Sequence, residues 1–463
     1  MKNNPQSSSK LKSFTTPQKK PELHESADVR EVVLGEEQAK VYDIMENTNQ
    51  TMYITGKAGS GKSFLLQYFM RNSKKRVAAV APTGVAALNI NGQTIHSFFR
   101  LKLEAQNPDD AEQTKLGIRQ RAVLRAVDAI VIDEVSMLRV DIIDMIDKKL
   151  QLANGNSLPF GGKQLFLFGD LYQLPPVVDS GQLSRYLEDK YGSIFFFRAP
   201  AFKRVPLLKM ELNHIYRQTD TAFIGILNDV RIGKLTANCL DALNTRCVVP
   251  SDRHRRFITI TARNDTAANI NNKKLESIER QEYSYEAEIT GDIKQSAFPT
   301  EKKLRLRVGA QVMMLKNDQT DSTSPEKKEQ RRWVNGTLGI VSELGPDSVK
   351  VMIDGVEHSI DKQTWEKVQY AYSAKDKVLE SRAVATFTQY PIRLAWAITI
   401  HKAQGQTYQS VMVDLEGGAF AAGQTYVALS RCVEMNGLYL NRPIRKADVI
   451  ISQEVLEYMG DIS

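Results

Sequence analysis

The chain has 463 residues, a formal charge of +8, 42% hydrophobic and 25% charged residues, a balance that places it among globular proteins rather than disordered ones. No apolar run approaches membrane-spanning length, which predicts no membrane partner. Cys239, Cys247 and Cys432 are too few for a disulfide framework and lack metal-ligand spacing, which predicts reduced thiols in an intracellular protein.

The length suggests about three domains at about 150 residues each. The basic excess suits a nucleic-acid partner without singling one out. Residues 1–28 are rich in Lys, Ser, Pro and Asn and read as a disordered tail. The tail has no apolar signal core and no Arg-rich amphipathic pattern, so no secretory or mitochondrial address is expected. Lys10, Lys12, Lys19 and Lys20 make a weak nuclear signal. The expected location is the cytoplasm of a bacterium, or the nucleus if the source is eukaryotic.

From about residue 31 short apolar runs alternate with amphipathic helical patterns. TMYIT (51–55), VAAVAP (77–82), AIVIDE (129–134) and KQLFLFGD (163–170) read as strands buried on both faces. FLLQYFMR and VDIIDMIDKKL read as helices between them, which implies a parallel α/β sheet. Apolar strands return at RFITITA (256–262), AITI (397–400) and SVMVDL (410–415), predicting a second α/β unit. Between about 304 and 360 the texture becomes all-β, with Gly, Asn, Asp and Pro turns that suggest a small barrel. Within it, the polar stretch 319–332 reads as a long mobile loop, and AQNPDDAEQTK, after Phe99, reads as an excursion projecting from the first unit.

GKAGSGKS (56–63) fits the pattern G-x-x-x-x-G-K-[ST] between a strand and a helix, the setting of a phosphate loop. Gly56, Gly59, Ser60 and Gly61 would turn backbone N–H groups around phosphate oxygens. Lys62 would place a charge on them, and Ser63 would hold Mg²⁺. Asp133 and Glu134 end an apolar strand. A carboxylate there can hold Mg²⁺, and its neighbour can serve as base for the attacking water. Together these features imply a nucleoside triphosphatase. A GTPase would need an Asn-Lys-x-Asp, which is absent. Gln173 in GDLYQLPPV, Arg217 in NHIYRQ and Arg431 in YVALSRC are candidates to sense or neutralise the γ-phosphate.

GKAGSGKS, APTGVAALNINGQTIHSFF, VIDEVSM, FGGKQLFLFGDLYQLPPV, LNHIYRQ, TIHKAQGQT and YVALSRC occur in that order from about residue 30 onward. The series resembles superfamily 1 helicases, most closely the petite-integration-frequency family of superfamily 1B, related to RecD. VDIIDMIDKKLQLANGNSLPF departs from the family's form in lacking an Ala-Arg step.

The resemblance implies two RecA-like parallel-sheet domains, with a wedge insertion in the first and an SH3-like β-barrel in the second. Expected boundaries are 29–205 for the first domain (wedge at about 99–118), 206–303 with 391–463 for the second, and 304–390 for the barrel. It implies that Gln38 reads adenine, that Gly405 and Gln406 face the nucleotide, and that Lys62, Ser63, Asp133 and Glu134 hydrolyse ATP with Gln173, Arg217 and Arg431. It places Pro82, Thr83, Gly84, His96, Ser97, Phe98, His401 and Lys402 on single-stranded DNA. His24, His254 and His358 read as surface or packing residues, and His214 is ambiguous. The implied activity is ATP-dependent 5′-to-3′ unwinding of tailed or forked duplex DNA in genome maintenance. The expected state is a monomer, with dimerisation on DNA as an option. Preference for G-quadruplexes or RNA–DNA hybrids is not encoded legibly. The alternatives are a DNA-stimulated translocase without unwinding and a small-molecule phosphotransferase.

Overall fold

The computed structural model describes residues 34–102, 104–178, 181–218, 220–248, 257–318, 332–373 and 378–460. The expected tail, His24, His254 and the polar stretch 319–331 lie outside the described residues.

Six strands, β1 (Met52–Gly56), β2 (Val77–Ala81), β3 (Gln93–Thr94), β4 (Ala129–Ile132), β5 (Gln164–Phe168) and β6 (Leu208–Leu212), form one sheet ordered β3-β2-β4-β5-β1-β6. Every pairing in it is parallel. The strands alternate between two apolar faces, which is why they read as continuous apolar runs. Met52, Ile54, Ala79, Val131, Phe166 and Phe168 pack with Val41, Met45, Leu65 and Phe69 from the helices Glu36–Asn47 and Lys62–Asn72. Tyr53, Ala78, Val80, Ile130, Ile132 and Leu167 face Ile143, Ile146 and Leu150 of the helix Val140–Asn154.

A second parallel sheet contains Ala397–Thr399, Ile258–Thr261, Val411–Asp414 and Leu438–Leu440, in that spatial order. Its Ile258, Ile260, Val411 and Val413 belong to the same apolar cluster as Ile130 and Ile132, so one core runs through both units. Among the described residues no helix is long and apolar enough to cross a membrane.

The first sheet extends past the boundary expected at 205, because β6 pairs with β1 from Leu208 to Leu212. LKMEL carries no continuous apolar run: it is an edge strand, half-buried except at Leu212. The β-rich insertion likewise begins before 304, since Glu282–Glu286 pairs with Lys303–Arg307, and Ile392–Leu394 joins its five-stranded antiparallel sheet. Leu304, Val312, Met314, Val341, Val351, Ile360 and Ile392 give it a separate core.

A long antiparallel hairpin, Gln363–Ser373 with Val378–Gln389, leaves the insertion and reaches the first sheet. The two-residue β3 pairs with β2 only at Val80 and Ala81. The Ala79 N–H donates instead to the Tyr370 hydroxyl at 3.1 Å, so the hairpin completes the sheet edge. The excursion after Phe99 folds back rather than projecting. Its Gln106 is buried, with the N–H donating to Asp141 at 2.8 Å and the carbonyl accepting from Tyr186 at 2.7 Å. Asp141 is itself buried against Arg139 at 2.9 Å, which anchors the excursion to the start of Val140–Asn154.

Candidate nucleotide and DNA site

Three loops leave the carboxyl ends of parallel strands, where ligands bind in open α/β sheets. Residues 57–61 follow β1, Asp133-Glu134 follows β4, and 169–173 follows β5. In the first, Gly59 and Gly61 adopt φ of 86° and 79°. A Cβ at Gly59 would strike the Arg217 Cβ, so that glycine is required by space as well as by φ, whereas at Gly61 it would meet the end of the Gln38 side chain and the positive φ is the requirement. The Lys62 ammonium donates to the carbonyls of Gly56 at 2.6 Å and Lys57 at 3.0 Å. Burial pushes its pKa down to about 8, opposed by Asp170 and assisted by Arg231. Ser63 is exposed at the helix start.

Gln38 is buried, accepts from Gly35 N–H at 3.1 Å and donates to the Gly61 carbonyl at 3.3 Å. Tyr216, 54% exposed, flanks the same glycine, and its N–H donates to the Gly59 carbonyl at 2.9 Å. His214, ambiguous in sequence, is exposed and lies edge-on to Tyr216 with centroids 4.4 Å apart.

Asp133 is raised to about 7 by burial and by the charge of Glu134 beside it. Burial also raises Glu134, against the pull of Lys62 and Arg431. Glu134 sits at φ 50°, a left-handed conformation that a non-glycine residue holds only when its surroundings impose it. Its Oε2 accepts from the Gln404 amide at 2.8 Å, and the same nitrogen lies 3.3 Å from Gln173 Oε1. Gln173 donates to Asp170 at 3.4 Å. Asp170 is buried and pairs with Arg231 at 3.0 Å, whose guanidinium stacks 4.3 Å over Tyr172.

The second unit closes over these loops. The Ala58 N–H donates to the Tyr426 hydroxyl at 3.0 Å. Arg217 donates to the Ser430 carbonyl at 3.3 Å, and Gln218 reaches the Ser430 and Cys432 carbonyls at 3.2 Å. Arg431 is buried; it donates to the Val427 carbonyl at 2.9 Å and to the Gln406 carbonyl at 3.2 Å. The structure thus gathers Lys62, Glu134, Gln173, Arg217 and Arg431, which the sequence scatters over hundreds of positions. Gly405 is exposed at φ 79°, and Gln406 is half-buried in the same loop. Gln404, Tyr426, Asp170 and Arg231 were given no role in the sequence reading; Asp170, Gln404 and Tyr426 stand inside motifs that drew notice, and Arg231 does not.

Of the residues expected on DNA, His401 and Lys402 are exposed on the one-turn helix Ile400–Ala403. Pro82, Thr83 and Gly84 open the helix Gly84–Asn89, which Thr83 caps by accepting from Ala86 N–H at 3.2 Å. Gly84 abuts Ala297 of the insertion. His96 is half-buried, and burial with the nearby Arg139 lowers its pKa. Ser97 donates its N–H to Thr94 at 3.2 Å. Phe98 is 5% exposed and lies edge-on to Tyr370 with centroids 5.6 Å apart, so the hairpin covers it here.

Residues 33–239 match the family described as PIF1-like helicase, and 288–321 match the DNA helicase Pif1 2B domain. A protein of Bdellovibrio bacteriovorus named ATP-dependent DNA helicase Pif1 is 34% identical over 420 residues, spanning 89% of this chain and 88% of that one. The structure is similar to Bacteroides sp Pif1 in complex with ADP-AlF4, with TM-score 0.85, 35% identity, and coverage of 93% of this chain and 97% of that one. Against Bacteroides Pif1 bound to ssDNA the coverage and identity are the same, 93%, 97% and 35%, but the TM-score is 0.67. The motif order, the two parallel sheets with their insertions and this full-length similarity establish that the chain belongs to the PIF1-like helicase family.

Proposed function

We propose that this chain is an ATP-dependent DNA helicase that moves 5′ to 3′ along single-stranded DNA and opens tailed or forked duplexes. The observation that carries the reading is the loop 399–407. It ends the strand Ala397–Thr399 of the second sheet, exposes His401 and Lys402, and contacts Glu134 beneath the first sheet's phosphate loop. One short segment therefore joins two exposed side chains, His401 and Lys402, to the Glu134 carboxylate, which supports a role for it at both strand and nucleotide.

In this reading Lys62 and the backbone of 57–61 hold the ATP phosphates, and Gln38 recognises adenine. Glu134 accepts a proton from the attacking water, while Gln173, Arg217 and Arg431 meet charge developing on the γ-phosphate. Ser63 and Asp133 fit Mg²⁺: both offer hard oxygen donors, and two protein ligands leave positions for phosphate oxygens and water. The half-buried Asp133 carboxylate, raised to about 7 with Glu134 beside it, is one that a divalent cation would stabilise. When bound, Mg²⁺ supplies charge neutralisation at the phosphates. ATP that favours the closed over the open arrangement of the two sheets can drive stepping; without that difference it cannot.

Two labelled duplexes, one with a 5′ tail and one with a 3′ tail, test the reading with ATP, Mg²⁺ and Lys62→Ala as control. Opening of the 5′-tailed duplex alone, lost in the variant, supports it; opening of the 3′-tailed duplex overturns the polarity. The folded-back excursion around Gln106 favours one second reading, a translocase without unwinding. DNA-stimulated hydrolysis with neither duplex opened would support that reading.

A further inference from the structure

Tyr426 joins the second unit to the phosphate loop. It is buried, and its hydroxyl accepts the N–H of Ala58, one of the amides of residues 57–61, at 3.0 Å. Its helix, Gln424–Leu429, is seated closely on the first unit. A Cβ at the N-cap Gly423 would stand 2.4 Å from the Gln173 carbonyl oxygen and 2.6 Å from that of Tyr172, so only bare backbone fits there. At the same end Thr425 donates to the Asp448 carbonyl, and Gln424 Oε1 accepts from the Phe420 N–H at 3.0 Å. The phenol therefore has a fixed place relative to both the phosphate loop and Gln173.

A phenol hydroxyl accepts through its lone pairs and has one proton of its own to give. Among the described residues the Ala58 N–H is the hydrogen-bond partner seen at this oxygen, and that bond uses a lone pair, not the proton. Burial, with the charge of Asp170, pushes the phenol up to about 12 against the pull of Arg231 and Arg431, so it keeps its proton at neutral pH. Arg217, Arg231 and Arg431 each interact electrostatically with this oxygen. Burial and the charge of Arg431 hold the Arg217 pKa down, so a further cation here would be costly. A neutral donor adds a hydrogen bond without that repulsion.

We propose that Tyr426 is a catalytic residue: its hydroxyl donates a hydrogen bond to an oxygen of the γ-phosphate, most strongly as charge develops there. The proton stays on the phenol and no bond to it breaks. A phosphate cradled by the N–H groups of 57–61 lies beside a hydroxyl that already touches one of them. The inference rests on the nucleotide placement proposed above and adds one neutral donor to Lys62, Gln173, Arg217 and Arg431.

The experiment measures steady-state ATP hydrolysis of the full chain with saturating oligothymidylate, and the Kd of ADP with and without fluoroaluminate, for wild type and Tyr426→Phe. The expected result is a kcat lower by at least about tenfold with the KM for ATP within about threefold of wild type. Affinity for ADP with fluoroaluminate, which mimics the transferring phosphoryl group, should fall by a similar factor while the ADP Kd stays within about threefold. An unchanged kcat would overturn the inference. So would equal losses for ADP with and without fluoroaluminate, because Tyr426 would then only shape the loop. Should Tyr426→Phe fail to fold, 3,5-difluorotyrosine placed at position 426 decides, since it keeps ring and hydroxyl but ionises more readily. Its kcat should fall at a lower pH than that of wild type as the donor is lost; coincident pH profiles would overturn the inference. These readouts do not involve unwinding: a wild-type chain that hydrolyses ATP and opens neither tailed duplex would remove the helicase reading alone, and one that hydrolyses no ATP would remove both.

Discussion

Arg231 and Asp170 form an ion pair at 3.0 Å whose side chains are 6% and 0% exposed, and it joins the helix Thr221–Ile232 to the loop that carries Gln173. Glu211 lies 3.4 Å from the same guanidinium. Two desolvated charges are tolerated because each satisfies the other; removing one leaves an uncompensated charge in the interior. Arg231→Leu is expected to cost about 3–5 kcal/mol of stability, and Asp170→Asn a similar amount. The double variant should recover part of the loss. Denaturant titrations of the four proteins measure this coupling, and strictly additive losses would show that the pair is not one unit.

Tyr370 offers a second test. Its hydroxyl accepts the Ala79 N–H at 3.1 Å, and its ring covers Phe98. Tyr370→Phe keeps the ring and leaves the amide without its acceptor, at a cost of about 1–3 kcal/mol. Faster hydrogen exchange at Ala79, with Leu167 in β5 unchanged, is the expected signature. Equal exchange in both proteins would show that the hairpin does not protect that edge.

Asp448 gives a pH dependence with a definite sign. Arg442 donates to its two oxygens at 2.7 and 2.8 Å and Arg445 N–H donates at 2.8 Å, which together hold its carboxyl below the usual range. A carboxylate depressed on folding adds stability that is fully present above its unfolded pKa of about 4 and is lost as pH falls through the lower folded value. Asp448→Asn should therefore be less stable than wild type at neutral pH, and the gap should narrow below about pH 4. Thermal melts across pH read the convergence; parallel curves would refute it. The site bears on function because the Asp448 carbonyl accepts from Thr425 in the helix Gln424–Leu429, just before Arg431.

Lys62 gives the opposite sign. Burial lowers its ammonium to about 8. A bound triphosphate favours the charged form, so the lysine's contribution to nucleotide affinity is fully present below about pH 8 and declines as pH rises through it. ATP Kd measured by nucleotide fluorescence should rise between about pH 7 and 9.5 in wild type and stay flatter in Lys62→Met. The same slope in both proteins would assign the effect to other groups.

The phosphate loop was legible because its chemistry is local: three glycines, two lysines and two serines within eight positions, after an apolar strand and before a helix. Seven strands of the two parallel sheets were legible for a related reason, since burial on two faces leaves a continuous apolar run; Gln93–Thr94 and Leu438–Leu440 are too short to show one. Leu208–Leu212 and Glu282–Glu286 escaped because half-exposed strands carry mixed residues, and the boundaries at 205 and 304 shifted accordingly.

The sequence by itself determined the two α/β units, the β-rich insertion, the order of the motifs and the family, because periodicity and short-range spacing are written along the chain. Only the tertiary structure decided which side chains meet. Gln404 and Glu134 stand 270 positions apart, and Tyr426 and Ala58 stand 368 apart. Such contacts depend on how two independently patterned sheets pack over a shared core. A lone glutamine or tyrosine carries no local signature of its partner, and a hydrogen bond forms only where packing brings donor and acceptor within about 3 Å.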